Sequence, residues 1–152
     1  MFNIKNIIVP TDFSRLSQSA FEYACDLAER MDATIHLVYV LEKNPPFLVV
    51  KGLHVSEETI LKSMEEEALK QLNEFANELR EDLPIKILPV LRHGMDYEEI
   101  VNYAKEVGAE LIVIATHGRT GLLHNLLGSV AEKVIRYAKC PVLVINPPDE
   151  DA

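Results

Sequence analysis

Gly118, Gly121 and the pair Gly128-Ser129 fall within one short stretch, between the apolar run Leu111–Ile114 and a helical pattern carried by Val130, Ala131, Val134 and Ile135. Strand, glycine loop, helix start is the order that phosphate recognition uses. The first N–H groups of a helix have no intrahelical partner and carry partial positive charge, and a residue without a Cβ lets an anion approach them. Gly118 and Gly128 are the expected clearances. Arg119 is either a cationic partner for phosphate or a solvated loop residue. A valine at position 128 is expected to block phosphate and leave the fold largely intact. The same residues also fit accounts that need no ligand: Ser129 with Glu132 three positions later reads as a capping box, and the loop glycines as turn residues. Neither the Gly-Lys-Ser/Thr ending of a P-loop nor a Gly-x-Gly-x-x-Gly occurs in the chain.

The elements that must position these residues are legible from hydrophobic periodicity. Short apolar runs at Asn6–Pro10, Thr34–Val40, Ile85–Leu91, Leu111–Ala115 and Val142–Ile145 alternate with helical patterns at Leu16–Met31, Ser56–Glu81, Tyr97–Val107 and Ser129–Tyr137. The runs read as continuous Ile, Val and Leu. This predicts an α/β fold with a parallel sheet covered by helices on both faces. Asp12 and Ser14 compete as the N-cap of the first helix, and Asp96 with Glu99 reads as a second capping box. A chain of 152 residues builds one core, so a single domain is expected over residues 1–148, followed by a short acidic tail, 149–152.

Charge narrows the partners. The formal net charge of -9 opposes nucleic acid and anionic membrane. Much of it lies between Ser56 and Asp82, where nine carboxylates face three cations, a net of -6. Ile60, Met64, Leu72, Phe75, Ala76 and Leu79 fall at helical spacing on the other side, so this is expected to be a helix with a solvated acidic face. No secretory signal or membrane span is evident and a cytoplasmic protein is expected. Cys25, among Ala24, Leu27 and Ala28, is expected in the core. With Cys140 it forms no Cys-x-x-Cys pair, and the five histidines show no metal-ligand spacing, so no protein-held metal is expected. The apolar stretch Asn44–Val55 folds over a ligand, packs on a subunit or plugs the core; the residues do not choose.

Three segments together resemble the universal stress protein family: Ile8-Val9-Pro10-Thr11-Asp12-Phe13-Ser14 near the start, Cys140-Pro141-Val142-Leu143-Val144-Ile145 near the end, and Ala115-x2-Gly118-x9-Gly128-Ser129-Val130 between them. The resemblance spans essentially the whole chain, in the family's order. It implies an open five-stranded parallel sheet of the Rossmann-like, adenine-nucleotide alpha-hydrolase-like type, strand order 3-2-1-4-5. The first and fourth strands would then be neighbours, and the crevice beyond their carboxyl ends is where such sheets bind ligands. The resemblance further implies ATP there. Pro10, Thr11 and Asp12 would lie toward the nucleoside, with Asp12 accepting from it; Val40 would offer backbone to the adenine edge; and Ala115, Gly118, Arg119, Gly128, Ser129 and Val130 would surround the phosphates. Mg2+ or Mn2+ would be carried by the phosphates. Ala115 departs from the family signature, which has glycine there; alanine takes positive φ less cheaply and adds a methyl group.

These implications favour an ATP-binding stress-response or regulatory protein. A slow ATPase at the same site and, because of Ala115, an ATP-free dimeric interaction protein are the alternatives. The implied strand order also leaves Val142, Leu143, Val144 and Ile145 as an apolar sheet edge without protecting charge, so a homodimer is expected through it, as is common in the family; shielding by the chain's own tail is the other account.

Overall fold

The computed structural model describes residues 3–42, 56–80, 82–117 and 127–146. Five strands, β1 (Asn6–Pro10), β2 (Thr34–Leu41), β3 (Lys86–His93), β4 (Leu111–Ala115) and β5 (Val142–Ile145), form one parallel sheet in the order β3-β2-β1-β4-β5. The helices are α1 (Arg15–Met31), α2 (Glu57–Arg80), α3 (Asp96–Glu106) and α4 (Ser129–Tyr137).

Alternation along the strands explains the two layers. Ile7, Val9, Ile35, Leu37, Ile87, Val113 and Ala115 point to one face, where Phe21, Ala24, Cys25 and Ala28 of α1 and Leu72 and Ala76 of α2 cover them. Ile8, Val38, Ile112 and Ile114 point to the other, against Ile100 and Ala104 of α3 and Ala131 and Val134 of α4. Side chains buried on both faces are why the strands read as unbroken apolar runs. Cys25 packs in the first layer as expected, and burial there pushes its thiol up to about 12.

The departures from the sequence reading are local. β3 extends two residues beyond Leu91, because Arg92 and His93 pair in register with Val40 and Leu41 and Arg92 meets its counter-charge on α3. Pro89 sits within β3, an edge strand where a missing N–H is tolerated. Ser14, not Asp12, caps α1: its side chain accepts from the Ser17 N–H. Neither expected capping box forms. Met95 is the N-cap of α3, while Asp96 accepts from its neighbour Tyr97 N–H at 2.6 Å. Gly128 is the N-cap of α4, and Glu132 accepts from Arg136 at 2.6 Å, one turn onward, instead of reaching back to Ser129.

Candidate functional site

The chain winds outward from β1 through β2 to β3, then returns to β4 and β5 on the opposite side. The direction reverses between β1 and β4, and the two turns that leave these strands converge there.

The first turn is built from hydrogen bonds of its own. The Thr11 N–H donates to Val38 O at 2.9 Å, continuing the β1–β2 ladder one step beyond Pro10. Thr11 is buried; its hydroxyl accepts from the Phe13 N–H at 3.0 Å and lies 3.2 Å from the Ser17 hydroxyl. Asp12 accepts from the Ser14 N–H at 2.9 Å, an Asx turn, which fixes its carboxylate in the turn that leaves β1. Phe13 between them has φ +64°, a costly conformation for a bulky side chain. Its ring packs on Tyr39 at 4.8 Å and Phe75 at 6.2 Å, contacts that hold the turn against that strain. Val40, half-buried near the end of β2, lies beside Arg92 in register.

The second turn differs. Ala115 ends β4 in ordinary strand backbone, outside the residues with positive φ, paired with Ile145, and it belongs to the core layer under α1. Glycine is therefore not required at this position, which corrects the expectation that alanine brings a backbone cost here. The Thr116 N–H donates to Ile145 O at 3.0 Å, and the Gly128 N–H donates to Thr116 O at 2.6 Å, joining the start of α4 to the end of β4. A Cβ on Gly128 would lie 2.8 Å from Thr116 O and 3.0 Å from His117 Cα. Close backbone packing thus favours glycine at 128 whatever binds nearby, and a valine there carries a packing cost that the sequence does not reveal.

Gly128 has no side chain with which to cap α4, so among the described residues Ser129 and Val130 stand at a helix start whose first N–H groups have no intrahelical acceptor. Beside it, Thr116 Oγ1 and His117 Nδ1 are buried with no hydrogen-bond partner among the described residues. Thr116 was not singled out by the sequence; a hydroxyl directly after a wholly buried strand, inside the signature, was the signal available. Gly118 and Arg119 lie outside the described residues, as do Gly121, His124, the stretch Asn44–Val55 and the tail 149–152. Arg92, the cation at the end of β3, is engaged: Glu99 and Glu106 accept from it at 2.9 Å, and these hydrogen bonds, Glu106 first, raise its pKa.

The model of the universal stress protein family matches residues 3–146. The chain belongs to this family. It is 38% identical over 148 residues to universal stress protein MJ0531 of Methanocaldococcus jannaschii, an alignment covering 97% of this chain and 85% of that one. The solved structure of hypothetical protein MJ0577, from the same organism, superposes with a TM-score of 0.83 at 30% identity and covers 98% of this universal stress protein and 100% of its own chain. A universal stress protein from Archaeoglobus fulgidus, solved in complex with dAMP, shares the fold with a TM-score of 0.64 at 24% identity, covering 95% and 99% of the two chains. Among the described residues no helix is long and apolar enough to cross a membrane.

Proposed function

We propose that this universal stress protein is an ATP-binding regulatory module, with the nucleotide held between β1 and β4. Its nucleoside part would lie toward Pro10, Thr11, Asp12 and Val40, and its phosphates toward Gly118, Arg119, Gly128, Ser129 and Val130. The observation that carries this reading is a pair of buried atoms without a partner among the described residues, Thr116 Oγ1 and His117 Nδ1, beside the glycine-capped start of α4. A buried polar atom left unpaired costs about 1–3 kcal/mol, and ligand oxygens are the partners that would recover it. Asp12, whose carboxylate is fixed at the end of β1 by the Ser14 N–H, is an acceptor of the kind that suits a ribose hydroxyl. The fold shared with the dAMP-bound Archaeoglobus protein supports an adenine nucleotide as the occupant. Among the described residues no group of three or more His, Cys, Asp or Glu comes together, so Mg2+ or Mn2+ would be held by the phosphates and water.

Ser129→Asp is the test. An acidic residue in the first turn of a helix favours the helix by about 0.3–1 kcal/mol, yet it places negative charge where the phosphates would dock. The variant should fold as stably as the parent and bind ATP at least about tenfold more weakly, a loss of roughly 1.4 kcal/mol. Unchanged affinity in calorimetric titration rejects the site. Nucleotide released on denaturing protein purified without added ATP identifies the occupant. Turnover is expected to be slow or absent; a rate near about 10 per second would replace this reading with the ATPase one.

A homodimer through β5 is the second part of the proposal. β5 is a sheet edge; Leu143 is exposed and Val142 and Val144 are half-buried, an apolar edge of the kind that invites antiparallel pairing with a second copy. Light scattering should give a dimer for the parent and a monomer for Val144→Lys. A monomeric parent rejects the dimer, and a dimeric variant rejects this strand as its seam.

A further inference from the structure

Among the described residues, the buried polar side chain away from the crevice is His36. It lies near the start of β2, between Ile8 and Leu88 in register, on the face covered by α3, and is only 5% exposed. Its two ring nitrogens join three elements: Nε2 is 3.0 Å from Asn6 Oδ1 on β1, and Nδ1 is 2.8 Å from the Tyr103 hydroxyl on α3. With the Asn6 carbonyl oxygen facing the ring, one neutral tautomer satisfies both contacts, Nε2–H donating to Asn6 and Nδ1 accepting from Tyr103. We propose that His36 is a proton-sensitive latch, holding α3 against the sheet when neutral and releasing it when protonated.

A proton on Nδ1 makes that nitrogen a donor, so the Tyr103 O–H must turn its own proton away from the ring. The imidazolium would also be desolvated, with Lys86 of β3 as a like charge in reach; burial first and Lys86 second hold the His36 pKa below the usual histidine value. Arg92 of β3 is a further cation on this side, 5.4 Å from the centre of the Tyr103 ring, its charge countered by Glu99 and Glu106 of α3. Released, the imidazole regains an ordinary affinity for protons. The docked form therefore binds fewer protons than the open form, and docking weakens as pH falls below about 6.5, levelling off once the docked form itself titrates. Opening should gain about tenfold for each unit that separates the two pKa values. Tyr103 is the point of release because α3 otherwise rests on the small contacts of Ile100 and Ala104, the Arg92 ion pairs and the stack of Tyr97 on Tyr137 of α4.

Native-state hydrogen exchange, corrected for intrinsic rates, tests the latch between about pH 7.5 and 5, the range in which histidine changes charge. In the parent, α3 amides should lose protection on acidification while α1 amides, on the opposite face, remain the better protected. Lys86→Gln, at an exposed position, should shrink this loss by restoring part of the His36 proton affinity, and His36→Gln should abolish it. Loss of protection in α1 and α3 together, or an α3 response unchanged in Lys86→Gln, overturns the proposal. Should His36→Gln not fold, the parent and Lys86→Gln measurements, with the His36 titration followed by NMR in both, decide alone: a His36 pKa at or above 6.5 in the parent rejects the latch.

Discussion

The turn after β1 and the turn after β4 leave neighbouring strands at the same end of the sheet, yet they treat their polar atoms in opposite ways. In the first, Thr11, Asp12 and Ser14 each meet a backbone N–H, and the aromatic contacts of Phe13 hold a strained φ in place. In the second, backbone bonds lock Thr116 to β5 and to Gly128, but the Thr116 hydroxyl and His117 Nδ1 are left buried without partners among the described residues. Two hydroxyls at the ends of adjacent strands therefore do different work. Thr11 spends its hydrogen bonds on shaping a rigid wall, whereas Thr116 is held where only something from outside the described chain can satisfy it.

The comparison breaks most severely at Gly128. Gly128→Val drives a side chain into the Thr116 carbonyl and the His117 Cα, so a stability loss of about 1–3 kcal/mol is expected, read as a lowered denaturant midpoint. A midpoint equal to the parent's would mean that the second turn is less tightly joined than its 2.6 Å bond indicates. The sharpest contrast is one substitution made at two places. Thr11→Val leaves the half-buried Phe13 N–H without its acceptor and should destabilise by about 1–2 kcal/mol, whereas Thr116→Val removes a hydroxyl without a partner among the described residues and should leave the ligand-free protein equally or more stable. Thr116→Val should at the same time weaken ATP binding; equal destabilisation by both variants would erase the distinction between the turns. The smallest expected effect is Ser14→Ala. Loss of the α1 cap should cost about 1 kcal/mol in the denaturant midpoint and leave ATP affinity unchanged, because that hydroxyl serves the helix.

The latch at His36 follows the same logic in a different place. Its contacts span β1, β2 and α3, three segments far apart in the chain, and none of the local patterns around Thr34–Val40 marks that histidine as other than a strand residue. His93, by contrast, sits at the rim of the sheet beside Glu65 at 3.6 Å, half in solvent.

Strand and helix identity, the two-faced burial of the sheet and the family signature were all determined by the sequence. Continuous apolar runs and 3.6-residue periodicity are properties of neighbouring residues, and a doubly covered parallel sheet is the arrangement that buries them. Helix starts were less legible. Ser129 and Asp96 have the right spacing for capping boxes, but Glu132 found Arg136 and Glu99 found Arg92, competitors supplied by the next turn and by another strand. The apparent cost of alanine at 115 vanished once the residue was seen as the last of β4, because strand backbone asks nothing special of it. Only the tertiary structure decided that Gly128 is pressed against Thr116 and His117, that Thr116 Oγ1 and His117 Nδ1 have no partner among the described residues, and that His36 is shared among three elements. Those facts depend on which atoms from distant segments arrive within hydrogen-bonding reach, and the spacing of residues along a chain does not contain that distance.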